Sequence, residues 1–305
     1  MKLRAVARWG ALVLAGLALV AAVHLWRNSQ SMTLPEKPRG ALRVASLNVH
    51  YIVLGATEGR WSRTDWERRR APLVETVAAL EADIVALQEA ESFGGGSMSS
   101  VSLHVEALRE GLPGYAVAAF GDPAVFPSTQ PILYDPDRLE LLDEGWFFFS
   151  ETPGMIYSRT FNGSFPAFAS TATFRNLENG AAFQLVNVHF DWSSWENRRP
   201  SAELTAARIS ETLATGLPVI LAGDLNARHG ALTMAILEDA GLDFPDVPGG
   251  TVHFDRGLAL FGAIDHIGLS GGILPAGDPV VWREKPGSAW PADHWPVVLD
   301  VMLPD

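Results

Sequence analysis

The chain has 305 residues, a formal net charge of −12, 48% hydrophobic residues and no cysteine. This composition is typical of a globular protein rather than a disordered one, and the length allows one large domain or two small ones. The lack of cysteine excludes disulfides, thiolate metal sites and cysteine nucleophiles. The acidic charge argues only weakly against nucleic-acid binding, because a metal ion can carry the positive charge in a nuclease.

The first 27 residues are predicted to be a membrane anchor or a signal peptide. Basic residues at Lys2, Arg4 and Arg8 precede an apolar run from Trp9 to Trp26. As a helix this run would be about 27 Å long, close to the roughly 30 Å of a bilayer core, and a Trp lies at each end. The charge bias predicts a single-pass cell-membrane protein whose remaining chain lies outside the cytoplasm. Small residues near the end of the run leave cleavage, with a secreted or periplasmic product, as the alternative.

Residues 28–40 are polar and contain prolines, which predicts a linker. Residues 41–305 contain no second linker or repeat and are predicted to form one domain. A strand is expected in "LRVASLNVHYI", then a helix in "TDWERRRAPLVETVAALEA" with a Thr/Asp start, although Pro72 suggests that the helix begins or bends there. "DIVALQE" is a short buried strand, "PILYDPDRLELL" and "WFFFS" are strands, and Asn179-Gly180 marks a hairpin in residues 168–190.

The C-terminal part continues this mixture of elements. Helices are predicted in residues 200–216 and 231–242, and strands in residues 217–224, 263–270 and 294–303. Strands outnumber helices, and both kinds alternate through the chain. The pattern favours a sheet packed on a sheet with helices outside.

Polar residues that can perform chemistry occur at six predicted strand ends. They are Asn48, Glu89, His189, Asp224 with Asn226, Asp265 with His266, and Asp293 with His294. A single carboxylate at such a position usually caps a helix, and a single His is usually packed in the core. Six strand ends with this set favour one shared site instead.

Carboxylates gathered in one site would repel one another unless a cation lay between them. Carboxylate and amide oxygens without Cys favour Mg²⁺, Mn²⁺ or Ca²⁺ over structural zinc. A magnesium site uses only one or two protein carboxylates, so the others and the histidines are left to orient water, substrate and leaving group. Such an arrangement is suited to phosphoryl transfer.

The motifs "SLNV", "LQE", "NVHF", "GDLN", "IDHI" and "DHWPV" follow one another in this order. Over about residues 42–302 this ordered set resembles the endonuclease/exonuclease/phosphatase superfamily, which includes DNase I and neutral sphingomyelinases. Ala292 departs from the Ser that many members have before the Asp-His pair. The resemblance implies a DNase I-like α/β (α+β) fold, a four-layer sandwich of two packed mixed β-sheets flanked by helices, with a catalytic domain at 41–305.

The resemblance also implies roles for individual residues. Glu89 would be the principal ligand of Mg²⁺ or Mn²⁺, assisted by Asn48 and Asp293. Asp224 would align or deprotonate the attacking water, and Asn226 would hold the phosphate or the Asp.

The resemblance also implies roles for an Asp-His pair and for a second histidine. Asp265 would orient His294, which acts either as a base or as a transition-state stabiliser. His189 would contact the phosphate or protonate the leaving oxygen.

Other polar and aromatic residues are expected to be structural or solvated. His229 is expected in a solvated loop, and His266 is expected on the opposite side of its strand from Asp265, with a packing or a surface role. A solvated charge is the default for the phosphate-clamp candidates Arg159, Arg198 and Arg199, and Trp192 and Trp195 would either pack or form an apolar rim. The glycine-rich loop "ESFGGGSMSS" is expected to border the cleft.

The leading functional hypothesis is an exported, membrane-tethered, metal-dependent phosphodiesterase or phosphatase, acting as a monomer on a phospholipid headgroup or a small phosphoester. An extracytoplasmic nuclease of the DNase I kind, with nucleic acid as substrate, rests on the same motifs. A binding protein that kept the fold without the chemistry would be expected to have lost Glu89, Asp224 or His294, and all three are present.

Overall fold

A computed structural model of the chain describes residues 2–93 and 101–304. The helices are α1 (Lys2–Asn28), α2 (Arg63–Leu80), α3 (Leu103–Gly111), α4 (Trp195–Ala214) and α5 (Leu232–Asp239). The strands of the first half are β1 (Leu42–Asn48), β2 (Ile52–Val53), β3 (Ile84–Gln88), β4 (Ser92–Phe93), β5 (Ala116–Ala118), β6 (Ile132–Tyr134) and β7 (Leu139–Phe148). Those of the second half are β8 (Phe168–Asn176), β9 (Ala182–His189), β10 (Val219–Asp224), β11 (Asp265–Leu269), β12 (Leu274–Pro275), β13 (Val280–Val281) and β14 (Val297–Met302).

Most strands belong to two sheets, each with one parallel pair among antiparallel ones. The first sheet has the order β12-β14-β1-β3-β6-β5, with β13 also paired to β14, and β1 and β3 are parallel. The second has the order β11-β10-β9-β8-β7, with β9 and β10 parallel. The predicted pair of mixed sheets is confirmed, as is the hairpin at Asn179-Gly180, which is formed by β8 and β9.

The apolar residues of each sheet alternate between two cores. Val44 of β1 and Ile220 of β10 lie in the core between the sheets, whereas Ala45 packs in a second core with α2. Leu221 of β10 packs in a third core that contains Ile209 of α4. Successive side chains of a strand point to opposite faces of its sheet, so each sheet packs against the other sheet on one face and against helices on the other. The fold therefore has four layers in the order helix, sheet, sheet, helix.

Two helices contain a proline and begin before it. α2 begins at Arg63, well ahead of Pro72, because the Ser62 hydroxyl accepts a hydrogen bond of 3.1 Å from the Asp65 backbone and caps the helix. α4 likewise begins at Trp195 and continues through a proline. The predicted Thr64-Asp65 start lies within two residues of the observed one, whereas the alternative start at Pro72 is wrong.

The segment between α1 and β1 has neither helix nor strand, and its residues contact the folded domain. Met32 and Leu34 pack against the core that contains α2. The Arg43 guanidinium donates a 2.7 Å hydrogen bond to the Pro35 carbonyl. These contacts hold the segment along the first sheet.

α1 contains a 21-residue stretch, Arg8–Asn28, that is long and apolar enough to cross a membrane, and none of it is buried by the rest of the chain. A signal sequence near the N-terminus has the same properties. The stretch therefore fits both alternatives drawn from the sequence.

The ion pair between Arg43 and Asp300 generates a stability prediction. The two residues face each other across β1 and β14, are both buried, and form two hydrogen bonds of 2.8 and 2.9 Å. We expect Asp300→Ala to lower the free energy of unfolding by about 3–5 kcal/mol, because it leaves a buried guanidinium without its partner. Urea unfolding of the full chain in detergent measures this loss.

The control is Glu140→Ala, which removes a half-exposed pair with Arg175 between neighbouring strands. Pairs of this kind contribute about 0–1 kcal/mol, so the control should unfold near the wild-type midpoint. Equal midpoints for the two variants would contradict the role given to the buried pair.

Candidate active site

The site lies where the carboxyl ends of both parallel pairs meet. Asn48 ends β1, Glu89 follows β3, His189 ends β9 and Asp224 ends β10. Both pairs end in register, with Asn48 opposite Gln88 in the first sheet and Asp224 opposite His189 in the second. The side chains that follow the apolar runs are therefore brought together from two sheets.

The amide of Asn48 connects the carboxylates of the two sheets. Its Nδ2 donates hydrogen bonds of 3.0 Å to Glu89 Oε1 and 3.2 Å to Asp224 Oδ2. Its Oδ1 accepts a 3.1 Å hydrogen bond from the His50 backbone. Asn48 thus fixes the separation of the two acidic groups.

Two imidazoles also face Asp224. His189 Nε2 lies 3.7 Å from Asp224 Oδ2 and 3.8 Å from Glu89 Oε1. His294 Nε2 lies 3.9 Å from the same Asp224 oxygen. An amide and two ring nitrogens therefore surround one carboxylate oxygen.

Asp265 holds the ring of His294. His294 Nδ1 lies 2.9 and 3.1 Å from the two oxygens of Asp265, and both side chains are buried. Burial alone would lower the pKa of His294, but the charge and hydrogen bond of Asp265, with the charge of Asp224, raise it well above its usual value. The pair leaves Nε2 of a positively charged ring facing Asp224.

The negative charge of Asp224 is only partly offset by the groups around it. Burial and the nearby Asp265 carboxylate raise the pKa of Asp224 to about 6, against the opposing effects of His294, His189 and the Asn226 backbone N–H. That N–H donates a 2.9 Å hydrogen bond to Asp224 Oδ1. A buried carboxylate in this state can accept a proton near neutral pH.

The backbone takes unusual conformations at two residues that follow strand ends. Glu89 has φ of +58° and Asn226 has φ of +47°. Glu89 Oε2 accepts a 3.2 Å hydrogen bond from the Tyr51 backbone, and the Asn226 side chain donates one of 2.8 Å to the Phe190 carbonyl. These contacts hold residues that would otherwise avoid the left-handed region.

Asp293 is held by two residues that the sequence did not indicate. His50 Nδ1 lies 2.9 Å from its Oδ1, and Arg60 Nη2 donates a 2.8 Å bond to its Oδ2. Although burial would raise the pKa of Asp293, the hydrogen bond from His50 and the charges of His294, His50 and Arg60 hold it well below its usual range. His50 could have been suspected from its place just after a strand end, whereas Arg60 lies in a loop with no motif.

The carboxylates gathered at the site are suited to binding a hard divalent cation. Glu89 and Asp224 supply carboxylate oxygens, thiolates are absent from the chain, and the raised pKa of Asp224 marks uncompensated negative charge. One atom from each of Asp224, Asp265 and His294 also lies within 4.8 Å of the other two. Both oxygens of Asp293 accept one hydrogen bond each, as do those of Glu89, and each oxygen keeps a second lone pair that could bind a metal ion.

The remaining histidine predictions are confirmed. His266 is buried, bonds the Ala227 carbonyl at 3.0 Å and packs edge-on against Phe244. His229 is half-exposed and pairs with the exposed Asp246. The side-chain partners of both residues therefore lie outside the set that converges on Asp224.

The arginine candidates bind local partners. Arg159 donates to a carbonyl in its own loop, Arg198 donates to the Asp191 carbonyl, and Arg199 pairs with Glu203. Trp192, just beyond the end of β9, is largely exposed, whereas Trp195 is 39% exposed and has Arg198 over its ring. Most of the glycine-rich loop after Glu89, residues 94–100, lies outside the described residues.

Gly223 allows β9 and β10 to approach closely beside the site. A Cβ at this position would lie 1.9 Å from the Val188 carbonyl oxygen, a separation at which the backbone must move. Gly223 directly precedes Asp224, and Val188 directly precedes His189. The glycine therefore sets the spacing of two site residues.

The comparisons with known proteins agree with this geometry. A family model described as "Endonuclease/Exonuclease/phosphatase family" matches residues 45–294. The chain belongs to this family, whose members are hydrolases that act on phosphoester bonds. No curated protein matches the sequence.

Solved structures support the fold. An endonuclease/exonuclease/phosphatase family protein from Bacteroides thetaiotaomicron superposes with a TM-score of 0.72 at 24% identity, covering 89% of this chain and 100% of that one. A mannosyl-6-phosphatase of the same organism gives 0.71 at 23%, covering 85% and 99%. D. rerio TDP2 in complex with a single-strand DNA product gives 0.57 at 16%, covering 86% and 98%. At these identities the likeness establishes the DNase I-like fold alone.

The close approach at Gly223 generates a second prediction. We expect Gly223→Ala to lower the melting temperature and to reduce phosphoesterase activity together, because the added methyl group pushes β10 away from β9 and displaces Asp224 from His189. Thermal unfolding and hydrolysis of bis-p-nitrophenyl phosphate measure the two effects.

Gly262→Ala is the matched control, because a Cβ at Gly262 would meet no atom within 4 Å. This variant should retain wild-type melting and activity. A Gly223→Ala protein as stable and active as the control would show that the strand spacing is not constrained as described.

Proposed function

We propose that the chain is an exported, metal-dependent phosphoesterase that hydrolyses a phosphodiester or phosphomonoester by in-line attack of water. The observation that carries the proposal is the convergence on Asp224 Oδ2 of the Asn48 amide and the Nε2 atoms of His189 and His294. Carboxylates, an amide and a charged imidazole in one partly enclosed site are the groups that phosphoryl transfer requires.

Asp224 is assigned to the attacking water. Its raised pKa lets the carboxylate accept the proton that water loses as the new P–O bond forms. The Asn226 backbone bond to the other carboxylate oxygen fixes the direction from which Asp224 faces the substrate. The Asn226 side chain, held against the Phe190 carbonyl, would hold the substrate phosphate.

The two histidines are assigned to the phosphate and the leaving oxygen. His294, kept protonated by Asp265, donates through Nε2 to a phosphate oxygen and stabilises the charge of the transition state. His189 donates a proton to the leaving oxygen as the old P–O bond breaks. The proton taken up by Asp224 and the one given by His189 balance the hydrolysis.

Mg²⁺ or Mn²⁺ would be held by Glu89, with Asn48 and Asp293 assisting. When bound, the ion offsets negative charge on the phosphate oxygens and keeps the carboxylates ionised. Glu89 is suited to this position because its Oε1 and Oε2 are already aligned by Asn48 and the Tyr51 backbone.

We further propose that α1 tethers the enzyme to a membrane. α1 carries an apolar span that the domain does not cover, and positive residues precede it. A catalytic domain fixed outside the cytoplasm at a bilayer surface would meet phospholipid headgroups, which are therefore the favoured phosphoester substrate.

Substitution of Asp224 and His294 tests the mechanism. We expect Asp224→Asn and His294→Ala each to lower kcat on bis-p-nitrophenyl phosphate by about 10²-fold or more, because positioned acid-base groups contribute about 10²–10⁴. Steady-state kinetics with Mg²⁺ or Mn²⁺ measure the loss, and circular dichroism checks the fold.

His229→Ala is the control, since His229 is close in sequence but half-exposed and directed at Asp246. It should retain the wild-type rate, and near-normal rates in the Asp224 or His294 variant would remove that residue from the mechanism. The wild-type protein is also assayed on phospholipid vesicles and on plasmid DNA. Cleavage of DNA alone would favour the nuclease over the lipid phosphoesterase.

Glu89→Gln tests the metal assignment without relying on turnover. Loss of the carboxylate charge should weaken Mn²⁺ binding in isothermal titration calorimetry by at least about tenfold, since even the loss of a group that only supports a metal ligand costs about 10–100-fold in affinity. Asp265→Asn serves as the comparison, because Asp265 is engaged by His294. If Asp265→Asn weakened Mn²⁺ binding and Glu89→Gln did not, the ion would belong to the Asp224, Asp265 and His294 group.

A further inference from the structure

A short segment with exposed apolar side chains, residues 254–261, lies beside the C-terminal end of α1. It forms turns and irregular structure rather than a helix or strand. Four of its side chains are 47–52% exposed, namely Phe254, Leu258, Leu260 and Phe261. Single exposed apolar residues are ordinary, but four within eight residues are the kind of patch that marks an interaction surface. The Arg228 guanidinium covers one face of the Phe261 ring, at 4.9 Å from the centroid.

Hydrogen bonds connect this segment to the end of α1. His24 Nε2 lies 2.8 Å from the Leu260 carbonyl oxygen, and the Ala259 backbone donates a 2.8 Å bond to the Ser29 hydroxyl. The patch is therefore held next to the last turn of the apolar helix.

The position of these contacts along α1 determines where the patch would lie relative to a membrane that α1 crosses. His24 precedes the exposed Trp26 by two residues, which is about 3 Å along a helix axis. Tryptophans at the end of an apolar span lie at the membrane interface. If α1 crosses a bilayer, Leu260 must lie at the level of that interface.

A cavity continues from the patch toward the active site. It has a volume of about 670 Å³ and is lined by apolar residues, among them Leu25 of α1 and Leu260, and by the charged residues Arg60, Asp255 and Arg256. Arg60 is the residue that bonds Asp293. The cavity thus lies between the end of α1 and one edge of the site.

We propose that residues 254–261 form a second membrane-contacting element, inserted at the headgroup and acyl-chain boundary of the leaflet where α1 ends. This contact orients the domain and turns the Arg60 edge of the site toward the lipid surface. The occupant of the patch is the bilayer, because the patch is continuous with the uncovered span of α1. The inference rests on the proposed membrane anchoring by α1 and is independent of hydrolysis.

Contact with lipid is measured by fluorescence quenching, which the absence of native cysteine makes straightforward. Leu258→Cys and Phe261→Cys are made separately in the full chain and labelled with an environment-sensitive nitrobenzoxadiazole dye. The protein is reconstituted in vesicles of phosphatidylcholine and phosphatidylglycerol, with or without a doxyl quencher on the acyl chains. Two single-cysteine variants serve as references. Leu17→Cys places the label within the apolar span of α1. Leu177→Cys places it in the turn between β8 and β9, which lies at the end of β9 opposite His189.

Labels at Leu258 and Phe261 should lose fluorescence in doxyl vesicles as the Leu17 label does, while the Leu177 label should not. Quenching at Leu17 without quenching at Leu258 and Phe261 overturns the membrane contact but leaves the anchor intact. No quenching at Leu17 overturns both. A blue-shifted but unquenched label at Leu258 would show that protein, such as a second copy of the chain, covers the patch instead of lipid.

Discussion

The hydrogen bonds from the Asn48 amide to Glu89 and Asp224 join the two sheets at the site, and the rest of the arrangement depends on them. Beneath them, the buried Gln88 side chain donates a 2.8 Å bond to the Asn187 side chain of the opposite sheet. Polar groups buried between sheets are costly unless paired, so these contacts select one relative position of the sheets. The chemistry is therefore assembled by sheet packing rather than by one loop.

The acidic residues of the site differ in how their charge is balanced. Asp293 lies against His50 and Arg60, and its pKa is held low. Asp224 is buried near Asp265, and its pKa is raised. Asp224 at the end of β10 and Asp293 in the segment before β14 are thereby suited to different tasks, since one can exchange a proton near neutral pH and the other stays ionised there.

Much of the fold and the central residues could be predicted from the sequence because apolar runs and their polar ends are local signals. Asn48, Glu89, His189, Asp224 and His294 all follow or flank such runs, and the structure brings them together.

Other features depend on contacts between distant residues, which no local pattern records. Arg60 reaches Asp293 from an irregular loop, and its sequence neighbourhood resembles any solvated segment. Pro72 was misleading as a start signal, because Ser62, ten residues upstream, caps a helix that accommodates the proline.

The backbone conformation of Glu89 has a further consequence. A non-glycine residue in the left-handed region costs on the order of 1–3 kcal/mol, so the fold gives up stability at the residue that points its carboxylate into the cleft. Glycine at position 89 would relieve this cost but would remove the carboxylate that Asn48 and the Tyr51 backbone hold, so stability and the acidic group of the site make opposite demands on this residue.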